Sequence, residues 1–196
     1  MKKQVLTFLA IPFLLSSCGT SIIKPFSSST SKVKTSSAGK QHFKAINVSL
    51  DDCIDLNGDK LDKSYFAGKL TLINVWGTYC GPCKEEMPAL GYLYNKFSKD
   101  FPFQILGLVI DVQDDQGNID PTQKTKAERL LNTAKCTYQN IVITPSWYSW
   151  INTIQYVPTS VFIDDTGYSV AEEIIGSMPT SKWESYIEGF LFDYFD

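Results

Sequence analysis

A largely apolar run at residues 70–75 ends at Trp76-Gly77-Thr78-Tyr79-Cys80-Gly81-Pro82-Cys83, and a helical pattern starts there and continues to about Phe97. The run reads as a buried strand. A strand that turns straight into a helix at C-x-x-C is the arrangement of a redox-active dithiol. Cys80 then stands at the helix N-terminus, where unpaired backbone N–H groups and the positive end of the dipole favour a thiolate. Thiols so placed have pKa values lowered from about 8.5 to about 3.5–7.5, which supplies the nucleophile at neutral pH. Pro82 suits the first helical turn, where its missing N–H has no partner to lose. Cys83, Met87, Leu90, Tyr94 and Phe97 follow one another at intervals of four, three, four and three. That spacing predicts Cys83 on the face packed against a sheet, with Cys80 ahead of the helix and accessible. Cys80 is therefore the expected attacking thiolate and Cys83 the resolving thiol. Attack on a partner disulfide leaves a mixed disulfide at Cys80, which Cys83 then releases.

The segment 76–88, with its Cys80-Gly81-Pro82-Cys83-Lys84-Glu85-Glu86-Met87-Pro88 continuation, resembles the active-site segment of the thioredoxin superfamily. Within that superfamily it is most similar to the membrane-tethered, extracytoplasmic TlpA/ResA-like branch, and the resemblance covers about residue 43 to the C-terminus. It implies an α/β, thioredoxin-like fold: a central mixed β-sheet flanked by helices, with an N-terminal β-hairpin and a helical insertion. It also implies a thiol–disulfide oxidoreductase with Cys80 and Cys83 as its redox disulfide. Pro158, ahead of an apolar stretch at 159–163, resembles the family's cis-proline beside the dithiol, and the Val157 backbone would pair with an extended client segment. Without the resemblance, Pro158 can equally be a trans proline opening a strand. Trp76, Tyr79, Gly81 and Pro82 flank the cysteines and complete the expected client-binding set. Many thioredoxins carry a buried Asp six residues before the first cysteine; here that position is Asn74, which cannot titrate. Members of the ResA group carry a Glu three residues after the second cysteine, which corresponds to Glu86. A partly buried Glu86 is a candidate catalytic proton shuttle with a raised pKa; the other reading is a solvated first-turn acid that complements the helix dipole.

At 196 residues, 43% hydrophobic and 13% aromatic, the chain has room for one cored domain and an appendage. A net charge of −3 argues against nucleic acid. One histidine leaves His-dependent hydrolysis and multi-His metal catalysis poorly supplied. Zinc at Cys80 and Cys83 lacks a second close ligand pair, so no metal or cofactor is expected. Residues 1–17 read as an export leader, with Lys2, Lys3 and an apolar core at 5–15. The tetrad Leu15-Ser16-Ser17-Cys18 resembles a bacterial lipobox, which implies cleavage before Cys18 and lipidation of its sulfur. An ordinary signal peptide is the other reading; a spanning helix is disfavoured because the run is short of the roughly 20 residues a bilayer requires. Residues 18–42, rich in Ser, Thr and Lys, read as a tether, and 43–196 as the domain. The expectation is a monomer, extracytoplasmic and lipid-anchored to the bacterial cell membrane.

Along the domain, residues 43–61 predict a small hairpin around Asn57-Gly58. A second buried strand follows at 103–111, then a polar insertion and a helix opened by Asp120-Pro121-Thr122-Gln123, similar to a capping box. Residues 138–143 predict an edge strand, and a short helix holds Trp147, Trp150, Ile151 and Ile154. Asp164-Asp165-Thr166-Gly167 predicts a turn into a strand at about 170–176. Ser181-Lys182-Trp183-Glu184 predicts a capping box opening a last helix that buries Trp183, Tyr186, Ile187, Phe190, Leu191 and Tyr194. Trp147, Tyr148, Trp150 and Tyr156 read as core before docking surface. Cys53 and Cys136 read as free, half-buried thiols rather than a disulfide.

By resemblance, the leading function is that of a reductant. It would take electrons from a CcdA/DsbD-type membrane protein and pass them to oxidised clients such as apocytochrome c or a methionine sulfoxide reductase. The Gly81-Pro82 dipeptide is that of low-potential thioredoxin. A disulfide-forming thiol oxidase and a non-catalytic binding lipoprotein are the alternatives. A peroxidase is disfavoured because a Thr-x-x-Cys is missing: Thr78 is two residues before Cys80.

Overall fold

A computed structural model describes residues 46–195; the leader, Cys18 and the tether at 18–42 lie outside the described residues. The elements run β1 (Ile54–Asp55), β2 (Leu70–Trp76), α1 (Gly81–Phe97), β3 (Phe103–Val109), α2 (Pro121–Thr133), β4 (Asn140–Val142), α3 (Tyr148–Ile151), β5 (Thr159–Ile163), β6 (Ile174–Ile175) and α4 (Thr180–Phe195). Single 3-10 turns lie at Lys63–Tyr65 and Pro145–Trp147. The six strands form one sheet in the order β1-β4-β3-β2-β5-β6. β2, β3 and β4 are parallel, while β1, β5 and β6 join antiparallel. This is the mixed sheet flanked by helices that the sequence predicts.

Every residue of β2 and β3 is buried, as continuous apolar runs require when helices cover both faces. On one face, Leu70, Leu72, Ile105 and Phe162 pack against Leu90 and Leu93 of α1 and Trp183, Ile187 and Leu191 of α4. On the other, Ile73, Val75, Leu106, Leu108, Val161 and Ile163 pack against Val48, Leu50, Phe66, Trp147 and Trp150. A third cluster sits where the parallel strands end. There Trp76, Val109 and Val142 meet Met87 of α1 and Ala127 and Leu131 of α2. The dithiol belongs to this third cluster, so the ends of three strands and the insertion helix position it.

Several expectations need correcting. The small hairpin around Asn57-Gly58 is not one of them: Ile54 bridges Lys60 antiparallel, and the Asp55 and Leu61 N–H groups donate to Asp59 O and Cys53 O. The chain ahead of it runs instead along the sheet, with Asn47 bridging Tyr168. β4 is not an edge, because β1 covers it. The strand at 170–176 shrinks to β6, two residues long. The Asp120 carboxylate does cap α2, accepting from the Thr122 and Gln123 N–H groups, but the Asp120 N–H donates to Val112 O rather than to Gln123. No capping box forms at Ser181: α4 starts at Thr180, and Glu184 pairs with Lys96 of α1. Tyr186 and Tyr194 are exposed, which narrows the buried stripe of α4 to Trp183, Ile187 and Leu191. Trp147 and Trp150 are core, whereas Tyr148 and Tyr156 are exposed. Cys53 and Cys136 are unpaired. Cys53 is fully rather than half buried, and burial pushes its thiol up to about 12.

Candidate active site

Cys80 is the N-cap of α1, in extended conformation, and its Sγ accepts the Cys83 N–H at 3.1 Å. Pro82 fills the first turn as the sequence predicts. The two cysteines are joined, with an S–S distance of 2.01 Å. Cys83 is 1% exposed and Cys80 5%. The order is the expected one, but Cys80 is far less open than its place ahead of the helix suggests, because the chain at Val157 lies over it. The Val157–Pro158 bond is cis, and Val157 O lies 3.5 Å from Cys80 Sγ. Pro158 is itself buried, and its carbonyl accepts the Gly176 N–H next to β6. Gly81 and Pro82 are exposed, and Tyr79 is 62% exposed. The structure thus brings Tyr79, Gly81, Pro82, Val157 and Pro158 around the sulfurs.

Trp76 is the correction in this group. It is the last residue of β2, it is wholly buried, and its Nε1–H donates to Asn140 Oδ1 at 3.0 Å, so it cannot line a client groove. Its partner sits there because residue 107 is glycine: a Cβ at Gly107 would lie 1.9 Å from Asn140 Oδ1. Ser160, Asn74, Gly107 and Asn140 are register neighbours across β5, β2, β3 and β4, forming one row across the sheet.

Glu86 is buried at 3% exposure, not a solvated first-turn acid. Its Oε1 accepts Asn74 Nδ2 at 3.0 Å, and Asn74 Nδ2 also donates to Ser160 Oγ at 2.9 Å. Its Oε2 accepts Trp183 Nε1 at 3.1 Å and the Met178 N–H at 3.3 Å. Burial pushes the Glu86 carboxyl above its ordinary value of 4.5, and the three donors oppose that shift without cancelling it. Cys83 and Glu86 are three apart on one helix, hence neighbours on one face.

Sequence reasoning missed Asp111. Its carboxylate, just beyond β3, takes the Thr78 N–H at 2.9 and 3.0 Å and the Thr78 hydroxyl at 2.6 Å. The loop between β2 and Cys80 is therefore pinned to the end of the neighbouring strand. The available signal was an acid ending an apolar strand. Trp183 and Met178, donors to Glu86, lie about a hundred residues along the chain from it and gave no local sign.

Residues 41–168 match the AhpC/TSA family. The chain is 30% identical over 142 residues to the thiol-disulfide oxidoreductase ResA of Bacillus thuringiensis (strain Al Hakam), covering 68% of this chain and 70% of that one. It is 29% identical over 189 residues to the ResA of Bacillus thuringiensis subsp. konkukian, covering 96% and 98%. Among solved structures, a thiol:disulfide interchange protein of the thioredoxin family from Chlorobium tepidum TLS superposes with a TM-score of 0.57 at 19% identity, over 74% of this chain and 98% of that one.

Proposed function

The chain belongs to the AhpC/TSA family, as a thioredoxin-like thiol–disulfide oxidoreductase, and from that premise we propose that it works as a reductant of oxidised client proteins outside the cytoplasmic membrane. The observation that supports the direction is the Gly81-Pro82 dipeptide in the first turn of α1, between the two cysteines, which by resemblance is that of low-potential thioredoxin. A strong oxidant owes its high potential to a stabilised reduced form.

In the proposed cycle the Cys80 thiolate attacks one sulfur of a client disulfide. An S–S bond forms between Cys80 and the client, and the other client sulfur leaves as a thiolate and takes a proton. Cys83 then gives up its proton and attacks the Cys80 sulfur, closing the disulfide and freeing the second client thiol. Two electrons and two protons pass from the dithiol to the client. Glu86, buried one turn along α1 with a raised pKa, exchanges the Cys83 proton more readily than a solvated carboxylate. Tyr79, Gly81, Pro82, Val157 and Pro158 form the surface the client meets, and the Val157 backbone pairs with an extended client segment.

The leader resemblance supports a lipid anchor at Cys18. A CcdA/DsbD-type membrane protein is the proposed electron donor, and apocytochrome c or a methionine sulfoxide reductase the proposed client. The test is the reduction potential of the Cys80–Cys83 pair in thiol buffers. A value below about −230 mV supports the reductant, and one near about −120 mV replaces it with a disulfide-forming oxidase. Absence of a reversible couple overturns both and leaves a binding lipoprotein.

A further inference from the structure

A carboxylate offers about four positions, two on each oxygen, at which it accepts a hydrogen bond. On Glu86 both positions of Oε2 are filled: the Trp183 indole N–H reaches it at 3.1 Å and the Met178 N–H at 3.3 Å. Both of these groups can only donate. Oε1 accepts Asn74 Nδ2 at 3.0 Å, and among the described residues nothing else donates to it. Asn74 differs from the other two partners, because its amide turned over becomes an acceptor. Trp183 has no such freedom. It lies at the start of α4, is wholly buried, and belongs to the packed cluster of Leu72, Leu90, Phe162 and Ile187, so its N–H keeps its aim.

We propose that Trp183 is a positioning residue for proton exchange: with the Met178 N–H it closes Oε2 of Glu86, so that Oε1, the oxygen that meets Asn74, takes and gives up the proton. The inference rests on the reading of Glu86 as the proton exchanger for Cys83. In that step the Cys83 thiol proton passes to Oε1 and leaves a thiolate. The thiolate displaces the client sulfur from Cys80, and that sulfur takes its proton from water. When a donor thiolate attacks Cys80 and reopens the disulfide, the Cys83 sulfur leaves and recovers the proton from Oε1. A proton on Oε2 would instead set an O–H against two N–H donors. Trp183 also favours the charged form, against the burial that pushes the Glu86 carboxyl up, so the acid stays able to release its proton. Of the groups packed around Glu86, Asn74 of β2, Ser160 of β5 and Trp183 of α4 do not titrate. On α1, Cys83 is the exchange partner, and Lys84 and Glu85 are exposed. Tyr138, just ahead of β4, is buried, and burial holds its hydroxyl well above the ordinary value.

The test is an NMR titration of the oxidised full chain, isotope-labelled at the glutamate carboxyls and the tryptophan indole nitrogens. The Glu86 signal is the one that Glu86→Gln removes. On the unaltered chain, the Trp183 indole signal should move with the Glu86 midpoint yet stay hydrogen-bonded and protected from solvent exchange on both sides of it. The Trp76 signal, from an indole bound to the amide of Asn140, should stay put. A Trp183 indole that loses its hydrogen bond as Glu86 takes the proton overturns the proposal, because Oε2 has then been protonated. This measurement decides even where a variant fails to fold. In Trp183→Phe an aromatic ring remains and the donor goes, so the Glu86 midpoint should rise by about one pH unit or more, the size usual for one hydrogen bond to a charged group. An unchanged midpoint overturns the proposal. Single-turnover disulfide reduction by the reduced chains, followed against pH, separates the two readings. Its inflection should move upward in Trp183→Phe and vanish in Glu86→Gln. A profile altered by Glu86→Gln but not by Trp183→Phe overturns the role of Trp183 and leaves the exchange reading standing. A profile that Glu86→Gln leaves unchanged overturns both.

Discussion

In a Glu86→Leu variant the buried Trp183 Nε1–H and the part-buried Met178 N–H lose their acceptor, and the Asn74 amide loses one of two, keeping Ser160. Each orphaned donor costs about 1–3 kcal/mol, so the variant should lose several kcal/mol of a total that is typically about 5–15. Glu86→Gln differs, because the network closes again without charge. The amide oxygen serves Trp183 and Met178, the amide nitrogen faces Asn74, and the Asn74 amide turns to accept, with the Ser160 hydroxyl rotated to donate. The two variants therefore separate hydrogen bonding from charge. The sign of the pH effect follows from a folded pKa raised above the unfolded one by burial. Below the ordinary value of 4.5 both states hold the proton and the burial penalty is absent. As pH rises towards the folded value, the unfolded chain has ionised and the folded chain has not, so stability falls, by at most about 1.4 kcal/mol per pH unit for one proton. Above the folded value the loss is complete and constant. Glu86→Gln has no such term, so its stability relative to the native chain should grow with pH from 4.5 upward and then level off. Urea unfolding of the oxidised full chains from about pH 4 to about pH 9 reads this directly. Parallel pH profiles for the native chain and Glu86→Gln, or a Glu86→Leu variant as stable as either, would refute the reasoning.

Three further outcomes are expected. Gly107→Ala drives a Cβ into Asn140 and strips Trp76 Nε1 of its acceptor, so urea unfolding should show a loss of about 2–4 kcal/mol, and a change under about 0.5 kcal/mol would mean the sheet absorbs the methyl freely. Asp111→Ala orphans the buried Thr78 N–H; stability should drop by about 1–3 kcal/mol and client reduction should slow, with Asp111→Asn, which keeps one acceptor oxygen, recovering much of both. Cys83→Ser should accumulate a mixed disulfide at Cys80 visible by mass spectrometry, while Cys80→Ser should accumulate none because Cys83 is 1% exposed, and equal trapping by both would reverse the assigned roles.

The parts of this molecule written locally were legible. The turn from strand to helix at the dithiol, the strand spanning residues 103–109 and the helix after Asp120 each rest on periodicity or capping within a few residues. What failed did so for two physical reasons. Tyrosine satisfies a helical stripe equally well with its ring buried or its hydroxyl in water, so the spacing places Tyr186 and Tyr194 in a core they do not join. Trp76 adjoins the cysteines in sequence, and that adjacency alone points it to the client surface. The strand extends through it, and Leu72, Asn74 and Trp76 alternate onto the face under α1. The acceptor that keeps Trp76 there, Asn140, is 64 residues away and depends on the missing side chain at Gly107. Such a contact has no signature in either local sequence.

The same row explains how the site manages with an amide at residue 74. Asn74 Nδ2 is 3.0 Å from Glu86 Oε1, so the two side chains occupy one buried polar pocket between the sheet and α1. A carboxylate at both positions would place like charges in contact, and the two could not ionise together at neutral pH. The pocket holds one acid, and here it is on the helix, in the turn after Cys83, rather than on the strand. Asn74 suits that arrangement because an amide can donate to a charged Glu86 or, turned over, accept from a neutral one. Ser160 follows by rotating its hydroxyl. Both protonation states of Glu86 therefore keep their hydrogen bonds, as the proton-exchange role proposed for it requires. An aspartate at 74 offers no such second arrangement once both groups are ionised. The amide and the glutamate thus form one hydrogen-bonded unit, in which Asn74 can serve Glu86 in either protonation state.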